Sequence, residues 1–199
     1  NITCQDEAYL SMGTSFISGI FSEQYKVDPA FRTLYAGIPG TYFIETAILG
    51  GSYIIRWFIE NFAEEGTEQK DAGLSTEKFF EAQASRIPPG AQGLLLVPYW
   101  NSAIVPYWDA SASGIVVGWR GVHQLAHLYR AILEGIAFEQ CLNTRGVERV
   151  LGTRTRRFIA AGGGAQNDLW CQIVADITGV PVFRSTSQEC AALGAGILA

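Results

Sequence analysis

The chain has 199 residues, 48% hydrophobic and 12% aromatic, which is enough to bury the core of one full domain, and its formal net charge at pH 7 is −5. Lysine and arginine are scattered instead of forming a basic stripe, so DNA and RNA are not expected partners. No apolar run reaches the roughly 18 to 20 residues that cross a bilayer, and the N-terminus shows no basic leader or small-residue cleavage site, so the expected location is the cytoplasm, with no membrane contact.

The first expected elements are two strands, Ala8 to Met12 and Phe16 to Phe21, bent at Gly13-Thr14-Ser15, where Gly13 can take a dihedral closed to other residues. A third strand is expected between Arg32 and Ile44. From Glu45 to Phe62 apolar residues recur at helical spacing (Ile48, Ile55, Phe58, Ile59, Phe62), with Gly50-Gly51 close to the first turn. Charge and glycine dominate from Ala63 to Lys70, which predicts a surface loop, and Ser75 to Ser85 predicts a short polar helix with Phe79 and Phe80 inward. Leu94 to Val97 is a continuous apolar run between Gly93 and Pro98, suited to a buried strand.

Gly114 to Gly118 predicts a further strand, and His123 to Asn143 a helix with Leu125, Leu128, Ile132 and Ile136 on one broad face. Phe158 to Ala160 and Pro181 to Phe183 are the remaining strands. The helix between them, from about Asp168 to Thr178, has Asn167 at its N-cap, Gly179 at its C-terminus and Pro181 just beyond. Strands first, then alternating helices and strands, predict one α/β domain: a mixed sheet with helices on both faces.

Two glycine turns are candidates for chemistry. Backbone N–H groups at a tight turn, supplemented by hydroxyls, suit the concentrated negative charge of an oligophosphate, and Gly13, Thr14 and Ser15 offer that set. Gly162, Gly163 and Gly164 lie between a strand and a helix, where the lack of side chains would let a flat base or ribose approach the backbone. This is not the dinucleotide fingerprint, because Asn167 stands where the third glycine belongs, and no GxxxxGK[ST] loop exists.

His123 and His127 stand at i, i+4 as in zinc proteases, but Gln124 replaces the general base and a third ligand has no sequence cue, so surface or capping roles are expected and no metal site is assigned. Cys4, Cys141, Cys171 and Cys190 form no CxxC pair and read as reduced thiols.

Taken together, these motifs resemble the C-terminal half of the FGGY carbohydrate kinases. The stretch Gly114, Val116, Gly118, His127-Leu128 and Ala131-Ile132-Leu133-Glu134 is similar to that family's long signature, with Trp119 departing from it. Arg157 to Asn167 is similar to its adenosine loop, and Tyr9 to Ser15 to its phosphate turn.

The resemblance implies a ribonuclease-H-like, actin-type ATPase domain that binds ATP with Mg²⁺. The implied nucleotide contacts are Gly13, Thr14, Ser15, Gly50, Gly162, Gly163, Gly164 and Asn167, the last capping its helix, meeting adenine, or both. Glu189 to Gly196 resembles the small-residue helix that closes the family's domain.

In the family the catalytic base lies just upstream of the phosphate turn, and Asp6 lacks its context, so no catalytic residue is expected in this chain. The expectation is that residues 1–199 are one nucleotide-binding domain of a larger two-domain kinase, inactive alone, whose missing N-terminal domain binds most of the sugar. A pentulose such as xylulose is the expected acceptor. The Pro106 to Asp109 loop is worded like that of glycerol kinases, while Ala103-Ile104 replaces the Glu-Arg pair of many pentulose kinases. A glycerol kinase half and a non-catalytic actin-like module remain the alternatives, and a homodimer is left open.

Overall fold

The structure is a computed structural model that describes residues 4–62, 74–187 and 190–198. In β1 (Glu7–Met12) every second residue, Ala8, Leu10 and Met12, is buried, as the two-residue period of a strand dictates. β1 turns at residues 13–15 into the antiparallel β2 (Phe16–Ser22). Next come β3 (Arg32–Tyr35) and β4 (Tyr42–Ile48), antiparallel to one another, with β4 also paired to β2. On its other side β1 runs parallel to β7 (Arg157–Ala161), and β7 parallel to β8 (Val182–Arg184). The six-stranded mixed sheet therefore has the order β3-β4-β2-β1-β7-β8.

Two expectations change here. The single strand between Arg32 and Ile44 is a pair, β3 and β4, and Glu45 to Ile48 belong to β4 instead of opening a helix. Seven residues of β2 need backbone partners on the side away from β1, and β4 supplies them from Tyr42 to Ile48. Only past Gly50-Gly51 does α1 (Ser52–Phe62) begin, burying Ile54, Ile55 and Phe58. The expected loop from Ala63 to Lys70 lies outside the described residues.

α2 (Thr76–Ala84) is capped by Ser75, whose hydroxyl accepts from the Lys78 N–H, and it buries Phe80. β5 (Leu95–Val97) and β6 (Ile115–Val117) form a separate two-stranded ribbon. Leu96 is buried but Leu95 faces outward at 53% exposure, so this strand is not buried on both sides as its sequence suggests. α3 (Leu125–Leu151) runs eight residues beyond Asn143 and ends at Gly152, which adopts the left-handed conformation favoured at helix ends. Past Asn143 only Thr144 and Val147 are buried, with Gly146 between them, so the sequence carries little apolar periodicity to announce the continuation.

α4 (Asp168–Thr178) starts and stops where Asn167 and Gly179 predict. α5 (Cys190–Leu198) follows β8. The core lies between the sheet and α1, α3 and α4, with Phe16, Phe58, Ile132, Leu133, Phe158 and Trp170 all fully buried. Among the described residues no helix is long and apolar enough to cross a membrane.

Candidate functional site

Parallel pairing of β1 with β7 sets Ser11 opposite Ala161. The turn after β1, Gly13-Thr14-Ser15, and the loop after β7, Gly162-Gly163-Gly164, therefore leave the sheet side by side. This is the crevice beyond the carboxyl ends of parallel strands, where ligands of open α/β sheets bind.

The two loops touch. A Cβ on Gly162, which sits at φ +91°, would stand 3.1 Å from the Met12 carbonyl oxygen, and one on Gly164 would stand 2.8 Å from the same atom and 2.7 Å from the Trp170 ring. These glycines allow close packing of loop on loop. Gly163 differs: a Cβ there would meet nothing within 4 Å among the described residues, so its bare backbone is open on that side.

The first turn is clamped from behind. The N–H groups of Ser52 and Tyr53 donate to the carbonyls of Gly13 (2.9 Å) and Thr14 (3.2 Å), and the Gly13 N–H donates to the Ser15 carbonyl (3.1 Å). Neither the Thr14 and Ser15 hydroxyls nor their N–H groups find a hydrogen-bond partner among the described residues. Four donors are thus left at one turn.

Gly51, which sequence reasoning missed, seats α1 on this turn: a Cβ would lie 2.5 Å from the Ser15 carbonyl carbon and 2.7 Å from the Gly13 oxygen. Gly50 packs instead on the Pro98 carbonyl and the Ile54 side chain. The Gly-Gly pair was visible in the sequence, but which member meets the turn depends on the entry angle of α1.

Asn167 is engaged at both ends of its amide. Its Oδ1 accepts from the Trp170 N–H at 2.8 Å and caps α4, while its Nδ2 donates to the Tyr129 hydroxyl at 3.4 Å. Tyr129 is buried and stacks on Phe80 of α2 with centroids 5.8 Å apart; burial, with Glu77 and Glu81 nearby, pushes its phenol pKa far up and keeps it neutral. From the same helix Glu81 accepts from the Leu169 N–H (3.4 Å), and Lys78 donates to Glu81 (2.7 Å) and to the Gln166 carbonyl (3.3 Å). α2 therefore braces the glycine loop from outside, which no local pattern announced.

The long signature is a packing device. A Cβ on Gly114 would run into the Trp100 ring, and one on Gly118 into the Gly93 carbonyl. Both Glu134 oxygens accept from the Gly90 N–H (3.1 Å each), and Oε1 also pairs with Arg130 (2.6 Å). His127 is a capping residue but a buried one: its Nδ1 accepts from the Gln124 N–H (3.1 Å). Burial first, then His123, lowers its pKa and keeps it neutral. His123 uses its own Nδ1 to accept from the Arg120 N–H (2.8 Å).

Among the described residues, the group with metal-ligand proximity is Cys4, Asp6 and Glu7, at the far end of β1 from the turn. Its two carboxylates already pair with Arg156 and Arg157.

These elements define an actin-like ATPase fold. A gluconate kinase from Lactobacillus acidophilus superposes with a TM-score of 0.84 at 26% identity, covering all of this chain and 39% of the other. A ligand-bound xylulose kinase from the same organism gives 0.83 at 27%, with the same coverage. The model of the FGGY family of carbohydrate kinases, C-terminal domain, matches residues 8–199, and the chain belongs to that family.

Curated relatives include the xylulose kinase of Bacillus subtilis, 31% identical over 192 residues, and the glycerol kinase of Aquifex aeolicus, 33% over 158 residues. The matches cover 95% and 79% of this chain but only 36% and 30% of those relatives.

Proposed function

We propose that this chain is the nucleotide-binding half of a kinase that transfers the γ-phosphoryl group of ATP, with Mg²⁺, to a hydroxyl of a sugar or polyol, a pentulose such as xylulose being the favoured acceptor. The carrying observation is the contact between two loops at the carboxyl ends of paired parallel strands, one with four free donors and the other with exposed bare backbone. Thr14 and Ser15 take phosphate oxygens, with Gly51 and α1 holding their turn rigid behind them. Gly163 takes the ribose or purine, and Asn167 fixes the start of α4 beside it. The N–H groups of the turn can only donate and so suit phosphate oxygens, and Mg²⁺ would be held through those phosphates.

Phosphoryl transfer to a hydroxyl also needs a positioned base. Asp6 is separated from Gly13 by the whole of β1, roughly 20 Å of extended chain, and is ion-paired with Arg156 at 3.1 Å. That position of Asp6 supports a reading in which the base and most of the sugar contacts come from the other half of a larger cytoplasmic enzyme. Glycerol is the second candidate acceptor, favoured by the glycerol kinases among the relatives and by the Pro106 to Asp109 wording.

Calorimetry of the purified chain should show ADP binding, and a coupled assay no turnover of xylulose, ribulose or glycerol. Absence of ADP binding overturns the nucleotide reading. Turnover by this chain alone overturns the placement of the base elsewhere. The relative kcat/KM of the full-length enzyme for xylulose and glycerol decides between the acceptors.

A further inference from the structure

The signature helix α3 carries a buried ion pair that the proposed phosphoryl transfer does not use. Arg130 Nε stands 2.6 Å from Glu134 Oε1, one helical turn on, and both side chains are more than nine-tenths buried. Exchange of such a pair for apolar side chains of similar volume often costs no stability, because desolvation offsets the attraction. Its partners show what else it does.

Among the described residues, the backbone groups that the pair meets lie at the end of α2 and just beyond it. Arg130 Nη1 donates to the carbonyl of Ala84, the last residue of α2, and the Gly90 N–H donates to both Glu134 oxygens. Gly90 opens a run of four left-handed residues, with φ +84° at Gly90, +44° at Ala91, +54° at Gln92 and +91° at Gly93. Ala91 and Gln92 carry a Cβ, for which this backbone is unfavourable.

Such strain persists only where the surroundings over-determine it. Here Glu134 holds the first residue of the run, Arg120 donates to the Gln92 carbonyl, and Gly118 packs on the Gly93 carbonyl. The exit from α2 is thereby fixed on α3.

The rest of α2 grips the glycine loop. Glu81, one turn before Ala84, accepts from the Leu169 N–H in the first turn of α4, and Lys78 donates to the Gln166 carbonyl. Between these points Phe80 stacks on Tyr129, the chain neighbour of Arg130. The nine residues of α2 are therefore a strut with α3 at one end and the glycine loop at the other.

We propose that Arg130 and Glu134 are positioning residues for the nucleotide: they seat α2 where Glu81 and Lys78 hold residues 162–167 and the start of α4 in register with the phosphate turn. Neither touches the nucleotide itself. The ligand in this inference rests on the nucleotide reading; the mechanical link from α3 through α2 to Leu169 does not.

Arg130→Met with Glu134→Leu removes both charges and leaves no lone charge buried. Calorimetry should show ADP binding weakened by about tenfold at a melting temperature close to wild type, and amide exchange at Leu169 should quicken by about tenfold. Glu81→Ala, at the other end of the strut, should weaken ADP binding to a similar degree. Added to the pair variant it should cost little more, because both act through one path. Val147→Ala, buried toward the far end of α3, should lower the melting temperature and leave ADP affinity unchanged. Where the pair variant does not fold, Glu134→Gln, which keeps the volume and one acceptor for Gly90, should show the same effect at about threefold.

Unchanged ADP affinity in the folded variant, losses that add in full with Glu81→Ala, or an equal loss in Val147→Ala would each overturn the proposal. If the wild-type chain binds no ADP, the nucleotide reading falls and exchange at Leu169 decides alone. Faster exchange in the pair variant then keeps the link from α3 to α4, and unchanged exchange overturns it.

Discussion

Gly51 lies so close to Ser15 that a Cβ on it would stand 2.5 Å from the Ser15 carbonyl carbon, closer than folded proteins tolerate. The start of α1 and the turn after β1 are therefore one rigid unit, joined by this contact and by the bonds from Ser52 and Tyr53.

Gly51→Ala forces backbone to move, so it should destabilise the fold by about 1–3 kcal/mol and lower ADP affinity by about tenfold as the turn shifts. Gly163→Val should do the opposite in part: nothing lies within 4 Å of its Cβ position, so the melting temperature should hold while ADP affinity falls. Thermal melts and calorimetry of the two variants separate the roles. Unchanged ADP binding in a folded Gly163→Val protein would reduce the glycine loop to a connector.

Asn167→Ala removes the cap on Trp170 and the contact to Tyr129, with an expected loss of about 1 kcal/mol. Asn167→Asp keeps an acceptor for the cap and adds favourable charge at the start of α4, so most of that loss should be recovered in denaturant titrations. Equal losses in both variants would assign the stability to the Tyr129 contact instead.

Glu139 is buried beside Tyr99, and one of its carboxylate oxygens has no hydrogen-bond partner among the described residues. Burial pushes its pKa up, so between the ordinary carboxylate value and the raised one the folded chain holds more protons than the unfolded chain. Stability from this group is full below the ordinary value and is lost as pH rises through the raised one. Glu139→Gln should flatten that decline and gain relative to wild type at pH 8. A parallel pair of stability curves from pH 4 to 8 would refute it.

His127 is shifted the other way, its pKa lowered by burial, so the unfolded chain takes up its proton first as pH falls. The contribution of His127 is present above about pH 6.5 and fades below it. His127→Ala should cost about 1–3 kcal/mol at pH 8, through the lost cap and cavity, with the gap to wild type shrinking in acid. ADP binding should be unaffected and metal analysis should find no stoichiometric zinc. Stoichiometric zinc that disappears in the variant would reopen a metal reading of the two histidines.

The readable parts of the fold are those encoded locally. The bounds of α4 are legible in the sequence because its cap, its stop and its apolar face lie within about a dozen positions. The last two turns of α3 are hidden because past Asn143 only Thr144 and Val147 are buried and Gly146 stands between them, which leaves little apolar periodicity. The spacing of Ile48 to Ile55 fits a helix, while the strand partner that decides its conformation, Phe16, lies 32 residues upstream. In the candidate site, the turn and the glycine loop were legible as motifs; Gly51, Tyr129, Lys78 and Glu81 were not, since each acts on residues distant in sequence.

By itself, then, the amino-acid order determined the two glycine turns, the caps of α4 and the family, because dihedral freedom, capping and motif spacing are properties of neighbouring residues. Tertiary structure alone decided that β1 and β7 run parallel and bring the turns into contact, that Gly51 and not Gly50 meets Ser15, and that α2 links Arg130 to the glycine loop. Strand register and close approach are relations between segments up to 150 residues apart, from Glu7 to Arg157, and only packing selects among them.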